Sequence, residues 1–207
     1  MAKLIHAPEG LTLTEYLAIE QELVKDIKEP TFFTWIVSPT VIYGRHQSKE
    51  AEVNETYCAE HGIAVVQRKS GGGCVYADEG NLMMSFVTPE THSEHVFAEF
   101  LNILRTTLAA KGLSAVTTAH NDILVEGKKV SGCACYAALT GTIVHGTLLF
   151  DVNMEALTKA ITPTEDKLAK HGVASIRQRV ANIRELTDVF VDIQELREYI
   201  EKSIKLW

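Results

Sequence analysis

The residues best suited to chemistry form one run, Arg68-Lys69-Ser70-Gly71-Gly72-Gly73. Three successive glycines cost backbone entropy and give a core nothing to pack, which indicates that a ligand approaches the backbone closely. Because glycine has no Cβ atom, the N–H groups of successive glycines can converge on an anion. The flanking cations, Arg68 and Lys69, add Coulomb attraction. The pattern is equally compatible with a glycine-loosened hairpin between two strands. It matches neither G-x-x-x-x-G-K-[ST] nor G-x-G-x-x-G, which disfavours a P-loop NTPase and a Rossmann dehydrogenase.

A second polar group consists of Asn121-Asp122 and Lys128-Lys129-Val130-Ser131-Gly132. Between them, Glu126-Gly127 predicts a two-residue hairpin turn. In a regular strand Lys129 and Ser131 share one face and Val130 takes the other, so a buried Val130 directs Lys129 to the opposite surface. Its ammonium can then reach an anion held by the glycines. Two solvated lysines on a hairpin are the ordinary alternative.

The chain has four cysteines: Cys58, Cys74, Cys133 and Cys135. They are too few and too irregularly spaced for a disulfide framework, which predicts reduced thiols. In a continuous strand Cys133 and Cys135 have the parity of Lys129, and a neighbouring ammonium lowers the pKa of a thiol. Small apolar fillers are the other interpretation. Cys133-x-Cys135 and His92-x-x-His95 have no second pair at a suitable spacing, so no zinc site is expected.

The composition is that of an ordinary folded protein, with 207 residues of which 46% are hydrophobic and 23% charged. This length predicts one core and one continuous domain. The net charge of -7, from 20 basic and 27 acidic residues, without a basic cluster, disfavours nucleic-acid binding. No run approaches the ~20 apolar residues of a membrane span, and the first residues do not resemble a signal peptide. We therefore expect a cytoplasmic protein with no membrane partner.

Hydrophobic periodicity predicts the elements that position these residues. The first helix is expected over 14–28, with Thr14 as its N-cap and a stripe of Tyr16, Ile19, Leu23 and Ile27. In a strand over 142–152, His145 and Thr147 point away from the apolar residues. The glycines are expected in a turn between strands. Further helices are expected over 50–61, 96–111, 154–161, 166–170 and 193–206, and further strands over 32–37, 40–43, 63–67 and 82–87. Strands joined by tight turns predict a mixed α/β (α+β) domain with a largely antiparallel sheet and flanking helices.

Four separated segments together resemble the catalytic domain of the lipoate-protein ligase A family. They are RKSGGGCVYADEGNLMMSF (68–86), NDILVEGKKVSG (121–132), HGTLLFDVN (145–153) and SIRQRVANI (175–183). The similarity extends over nearly the entire chain. It implies the fold that this family shares with biotin-protein ligases and octanoyltransferases, a mixed, mostly antiparallel sheet with flanking helices.

The resemblance also implies a two-step reaction. Lipoate and ATP with Mg²⁺ give lipoyl-adenylate, which a lysine amine of an acceptor lipoyl domain then attacks. The implied acceptors are the glycine cleavage H protein and the E2 lipoyl domains of 2-oxoacid dehydrogenases. Such an acyl-adenylate needs donors for its phosphate, an apolar slot for its C8 tail and a group that polarises its carbonyl.

The matched segments imply roles for individual residues. Lys129 matches the family lysine that contacts the carboxyl and phosphate oxygens, and it is the predicted catalytic residue. Asp122 lies near the nucleotide and is the implied Mg²⁺ ligand. The other implied binding residues are Arg68 and Ser70 beside the acyl-phosphate, Gly71, Gly72 and Gly73 along it, Asn121 near the nucleotide, and His145 and Thr147 in the strand lining the site.

Two features depart from the family pattern. Gln67 stands where the family often has a second arginine, which predicts weaker or different anion binding. Larger ligases also have an additional C-terminal domain, whereas here a single catalytic domain is expected over 1–207. In similar split systems that domain is a separate polypeptide. We therefore expect that a separate accessory subunit is needed for adenylate formation.

Two alternative functions remain open from the sequence. An ATP-independent octanoyl or lipoyl transferase would form an acyl-thioester on Cys135 or Cys133. A non-catalytic lipoate-binding protein would use the same pocket without transferring the acyl group.

Overall fold

The computed structural model describes residues 2–118, 122–161 and 180–204. Within them the strands are β1 (Lys3–Leu4), β2 (Thr31–Trp35), β3 (Thr40–Tyr43), β4 (Ala64–Gln67), β5 (Val75–Ala77), β6 (Asn81–Thr88), β7 (Ala115–Thr117), β8 (Asp122–Val125), β9 (Lys128–Ala138) and β10 (Gly141–Leu149). The helices are α1 (Leu13–Lys25), α2 (Lys49–Glu52), α3 (Glu55–Glu60), α4 (Ser93–Ala110), α5 (Met154–Ala160), α6 (Ile183–Leu186) and α7 (Ile193–Ile204).

The strands form a seven-stranded sheet in the order β1-β2-β6-β10-β9-β8-β7 and a three-stranded sheet in the order β4-β3-β5. In the large sheet every pair is antiparallel except β1 with β2. In the small sheet β3 is parallel to β4 and antiparallel to β5. The predicted mixed architecture with a largely antiparallel sheet and flanking helices is confirmed.

The two faces of the large sheet are covered differently. On one face, α4 buries Phe100, Leu104 and Leu108 against Val144 and Leu148 of β10, and this cluster forms the main core. On the other face, α1 and the small sheet pack against β2 and β6 in a second apolar cluster. Residues of β9 and β10 that point away from α4 therefore face the space beside α1 and the small sheet.

The first helix differs from its prediction in both cap and buried face. Thr12, not Thr14, is the N-cap: its N–H donates to Glu15 Oε2 at 2.8 Å and its Oγ1 accepts from the Glu15 N–H at 3.4 Å. This reciprocal pair is a capping box. Because the helix begins earlier, its buried stripe is Leu13, Tyr16, Glu20 and Val24 rather than the predicted one. A carboxylate, Glu20, thus lies on the buried face.

The glycine run lies in a turn between two strands, as expected, but the alternative of a hairpin is wrong. The strands on either side of it, β4 and β5, lie on opposite sides of β3, so residues 68–74 cross the end of β3. A short strand at Val75–Ala77, absent from the prediction, accounts for the difference. Gly44 just after β3 permits the crossing, because a Cβ there would collide with the carbonyl oxygen of Gly72.

The remaining predicted elements agree in large part. The predicted helix over 50–61 is divided into α2 and α3, because Asn54 caps the second by accepting from the Tyr57 N–H at 3.1 Å. The strands at 32–37 and 40–43 are present as β2 and β3, but in different sheets. The Glu126-Gly127 turn is confirmed, with φ of 51° and 75°. The helix expected over 166–170 and the last residues of the one over 193–206 lie outside the described residues. No helix in the described ranges is long and apolar enough to cross a membrane.

Candidate active site

A cavity of about 490 Å³ lies between β9 and β10 of the large sheet, the small sheet and α1. We call it the first cavity. Its lining combines apolar side chains with cationic and hydrogen-bonding groups, so it suits a ligand with an apolar chain and an anionic group. The apolar lining residues include Leu13, Leu17, Trp35, Ile42, Val75, Met83 and Phe97. The predicted site residues among its lining are Arg68, Gly71, Gly72, Gly73, Asp122, Lys129, His145, Thr147 and the alternative nucleophiles Cys133 and Cys135. Ser70 lines an adjoining cavity, and Asn121 lies outside the described residues.

Arg68 shapes the glycine turn from inside. Its side chain is buried, with 6% of the residue exposed, and burial lowers the pKa of the guanidinium. Nε and Nη2 donate to the Gly71 carbonyl at 3.2 and 2.7 Å, Nη2 also donates to the Gly73 carbonyl at 2.6 Å, and Nη1 donates to the Ile42 carbonyl at 3.1 Å. The resemblance placed Arg68 beside a ligand phosphate, but four of its hydrogen bonds hold the protein backbone.

Arg68 binds the carbonyls of Gly71 and Gly73, and the N–H groups of the glycine turn remain for a ligand. Within the described ranges, the N–H groups of Gly71, Gly72 and Gly73 donate no hydrogen bond to the protein. Gly72 has φ of +89°, in the region that favours glycine. A Cβ on Gly71 or Gly73 would meet no atom within 4 Å, so these glycines leave open space. Unpartnered donors beside open space form a cradle for an anion.

Lys129 reaches the first cavity because of an irregularity in the β8–β9 pairing. Ile123 pairs with Ser131 but Leu124 pairs with Lys129, so Val130 is an extra residue in a β-bulge. Val130 is fully buried, and the prediction that Lys129 projects from the opposite surface is confirmed. The expectation that Ser131 shares the face of Lys129 is wrong. The bulge turns Ser131 into the core, where it is fully buried.

The Lys129 ammonium is held by a carboxylate on the neighbouring strand. Its Nζ lies 2.8 Å from Asp122 Oδ1, and the two side chains are 34% and 23% exposed. A Cβ placed on Gly132 would lie 3.8 Å from this Nζ and 3.9 Å from Thr147 Oγ1. The lysine side chain therefore lies along β9 beside Gly132 and Thr147.

His145 lies in a chain of buried hydrogen bonds. Its Nε2 is 2.6 Å from Ser70 Oγ, and its Nδ1 is 3.1 Å from Glu20 Oε2. The other Glu20 oxygen accepts from Ser85 Oγ at 2.5 Å, and Ser85 accepts from Trp35 Nε1 at 2.8 Å. Glu20 is only 1% exposed. Glu20 and His145 are 125 positions apart, so their pairing was not predictable from local sequence. The one sequence signal for Glu20 was a carboxylate at helical spacing between Tyr16 and Val24.

Comparison with known families decides which of them the chain belongs to. The model of the lipoyl protein ligase A/B catalytic domain matches residues 12–205. The chain belongs to this family. The resemblance drawn from the four sequence segments is thereby confirmed.

Relatives within the lipoyl protein ligase family are longer than this chain. The lipoate-protein ligase LplJ of Bacillus subtilis is 38% identical over 191 residues, which are 91% of this chain and 58% of that protein. Lipoate–protein ligase 1 of Staphylococcus aureus is 37% identical, again over 91% of this chain and 58% of that protein. The chain thus spans somewhat more than half the length of these curated relatives.

Solved structures share the fold. A bipartite lipoate protein ligase from Thermoplasma acidophilum superimposes with a TM-score of 0.86, at 24% identity, over 99% of this chain and 82% of that chain. Lipoate-protein ligase A bound with ATP gives 0.82 at 25% identity, over 99% and 84%. The biotin protein ligase of Aquifex aeolicus gives 0.52 at 16% identity, over 100% and 68%. The predicted relation to the biotin-ligase fold is therefore confirmed.

The cysteines of β9 are protonated thiols in this family member. Burial raises the pKa of Cys133 and of Cys135 to about 11 each. The expectation of lowered values is wrong, because burial outweighs the lowering effect of Lys129 on Cys133 and acts alone on Cys135. Cys135 Sγ instead lies 3.8 Å from the Ser93 carbonyl at the start of α4, and both cysteines pack against the main core.

Asp122 is the acidic side chain that lines the first cavity among the described residues. Those residues contain no group of three or more His, Cys, Asp or Glu side chains that would hold a metal unaided. Mg²⁺ is commonly held by one or two carboxylates together with substrate phosphates. A single carboxylate beside an anion cradle fits that requirement.

Proposed function

We propose that this chain attaches lipoate to a lysine of an acceptor lipoyl domain through lipoyl-adenylate. One observation carries the proposal: the Lys129 ammonium and the free N–H groups of the glycine turn line the same partly apolar cavity. The family match supports it, as do relatives named lipoate-protein ligases. Lipoate-protein ligase A, a solved relative, is bound with ATP, and a putative lipoate protein ligase from T. acidophilum with the same fold has bound lipoic acid.

Each part of the acyl-adenylate has a counterpart in the first cavity. The apolar lining takes the C8 tail. The glycine N–H groups bind the phosphate, and Lys129 stabilises the charge that develops on the phosphate and carbonyl oxygens. An ammonium 4 Å from a unit negative charge gains about 4 kcal/mol at an effective dielectric near 20. Asp122 fixes the ammonium in place at 2.8 Å.

Mg²⁺ fits the proposal as a companion of the nucleotide. Asp122 is the residue that would hold it, and the ion, when bound, neutralises part of the phosphate charge. Asp122 then has two partners, Lys129 and the ion. The same carboxylate would align the lysine with the phosphate.

The proposed acceptors are E2 lipoyl domains and the glycine cleavage H protein, with a separate accessory polypeptide as a further partner in adenylation. Support comes from the archaeal fold relative, a bipartite ligase studied with its E2 lipoyl domain. We assign the reaction to the cytoplasm. None of the four cysteines, all of which lie in the described ranges, forms a disulfide there.

The thioester alternative is disfavoured by the state of the β9 cysteines. A thiol with a pKa of about 11 is ionised in only about one molecule in 10⁴ at pH 7. A thioester-forming cysteine requires an activated thiolate. The adenylate route needs no such group.

The direct test weighs an apo lipoyl domain after incubation with the purified chain and one of three donors. These are lipoate with MgATP, synthetic lipoyl-adenylate, and a lipoylated donor protein alone. We expect the mass of a lipoyl group to be added with lipoyl-adenylate. Product from the donor protein alone would establish the thioester route instead, and no product in any mixture would leave a binding protein.

A further inference from the structure

The hydrogen-bond chain through His145 lies where two cavities meet. The second cavity, of about 310 Å³, shares Leu17 and His145 with the first cavity. Ser70 and Glu20 line it from the glycine turn and from α1. Ser70, His145 and Glu20, which we call the relay, thus connect the anion cradle to a buried carboxylate.

The directions of the two hydrogen bonds of Ser85 follow from the last member of this chain. The Trp35 indole is a donor only, so Ser85 must accept from it and donate its own proton to Glu20. The other Glu20 oxygen then accepts from His145 Nδ1–H. In the neutral imidazole of this tautomer, Nε2 is an acceptor for the Ser70 hydroxyl, whose oxygen lies 2.6 Å away. The Ser70 oxygen retains lone pairs for a further donor.

We propose that Ser70 is the proton-accepting catalytic residue for the acceptor lysine, with His145 receiving the proton behind it and Glu20 as a positioning residue. The proposal rests on the proposed function, which lacks a base for the incoming amine. Nucleophile–base–carboxylate arrangements of this geometry serve proton transfer on unrelated folds. Here the attacking group is the lysine amine, and the serine transmits its proton.

Two protons leave the acceptor amine during the transfer step. The acceptor ammonium first releases one proton to solvent, and the neutral amine nitrogen forms a bond to the acyl carbon. The nitrogen passes a second proton to Ser70 Oγ as the Ser70 proton moves to His145 Nε2. The bond between the acyl carbon and the phosphate oxygen breaks, and AMP leaves with that electron pair. The imidazolium so formed faces the Glu20 carboxylate at 3.1 Å.

The position of Ser70 suits this role. It directly precedes Gly71, so its hydroxyl is one residue from the cradle that binds the acyl-phosphate. Its carbonyl accepts from the Arg45 N–H at 3.0 Å, which fixes its backbone. Only 1% of the residue is exposed, so bulk water does not compete for its proton. Ser70 is also among the residues that line the second cavity, from which the acceptor lysine would approach.

Other titratable groups surround His145 in the two cavities. The first cavity adds Arg68, Cys74, Asp122, Lys129, Cys133 and Cys135, and the second adds Glu22, Lys69 and Tyr136. Among the described residues, Glu20 is the acid that contacts the imidazole directly. Replacing Glu20 therefore tests the relay more cleanly than changing a distant charge.

The experiment measures single-turnover transfer from preformed lipoyl-adenylate to an apo lipoyl domain between pH 6.5 and 9.5. At pH 7, Ser70→Ala is expected to be about 10²-fold slower and Glu20→Gln about 10-fold slower. Both deficits are expected to shrink toward pH 9.5, because hydroxide becomes more abundant and increasingly takes the second proton in place of the relay. Ser70→Thr, which retains the hydroxyl, should recover most of the rate.

A surface variant serves as the control, and Ser70→Thr tests whether a hydroxyl restores the rate. Glu29→Gln removes an exposed carboxylate that pairs with Lys3 at 3.3 Å and should transfer at the wild-type rate. Deficits that stay constant across the pH range, or a Ser70→Thr variant as slow as Ser70→Ala, would overturn the relay. If the wild-type chain itself transfers nothing from lipoyl-adenylate, the proposed function fails instead.

Discussion

Lys129 Nζ lies 2.8 Å from Asp122 Oδ1, although the strand partner of Asp122 is Gly132 and not Lys129. The bulge at Val130 places Lys129 on the face of Gly132, where its Nζ would lie 3.8 Å from a Cβ at position 132. The ion pair is therefore a product of a local irregularity in the strand pairing. A bulge positions a group for a ligand more readily than it strengthens a sheet.

Lys129→Ala is expected to slow transfer from lipoyl-adenylate by about 10²-fold to 10³-fold, the range for one preorganised partner of a developing negative charge. The unfolding midpoint should hardly move, because the side chain is partly exposed. Transfer rates and thermal unfolding of the same preparation provide the measurement. Lys128→Ala is the control, since Lys128 is exposed outside the first cavity. Equal rates for the two variants would remove Lys129 from the mechanism.

Glycine substitutions should separate ligand binding from folding. Gly71→Ala and Gly73→Ala add a methyl group to open space, so stability is retained while affinity for an acyl-adenylate analogue falls. Gly44→Ala places a methyl group against the Gly72 carbonyl and is expected to destabilise the fold by about 1–3 kcal/mol. Urea unfolding and calorimetric titration together measure both effects. Wild-type affinity in both Gly71→Ala and Gly73→Ala would contradict the anion cradle.

Arg68→Lys is expected to destabilise the fold by about 2–4 kcal/mol, because an ammonium cannot reproduce the planar fork that serves three carbonyls. Affinity for the acyl-adenylate analogue should fall as well, since the glycine turn loses its support. Urea unfolding of the variant gives the first quantity. Unchanged stability would show that the buried guanidinium is dispensable for the turn.

The β9 thiols should be unreactive at neutral pH. Because burial raises the pKa of Cys133 and Cys135 to about 11, alkylation by iodoacetamide should be slow at pH 7 and rise about tenfold per pH unit up to that value. The folded state keeps these protons while the unfolded thiols lose theirs near pH 9, so stability should fall between about pH 9 and 11. Cys135→Ser should retain transfer activity. Rapid neutral-pH labelling of Cys135, measured by peptide mass, would reopen the thioester route.

Local patterns predicted the parts of the site that depend on strand parity and turn chemistry. His145 lines the cavity opposite the α4 face, and Lys129 lies opposite Val130, as period-2 alternation requires. The bulge itself was not predictable, because nothing in the alternation marks which residue is extra. It reversed the expected side of Ser131.

Long-range contacts account for what the sequence did not predict. The local pattern of the glycine run is compatible with a hairpin, but the small sheet places β3 between β4 and β5. The sequence indicates Arg68 as a ligand-binding cation, whereas in the structure it donates hydrogen bonds to the carbonyls of the turn. Glu20 reaches His145 only because α1 packs against β10, a contact across most of the chain.

The central claim is that Lys129 and the glycine turn bind the same anionic group. A double-mutant cycle tests it most directly, with calorimetric Kd values for a non-hydrolysable, negatively charged acyl-adenylate analogue. The four proteins are the wild type, Lys129→Ala, Gly73→Ala and the double variant. We predict that the two losses of binding free energy couple by about 0.5–3 kcal/mol, because both groups act on one phosphate. Losses that add within error would place the ammonium and the turn on separate parts of the ligand and contradict the claim.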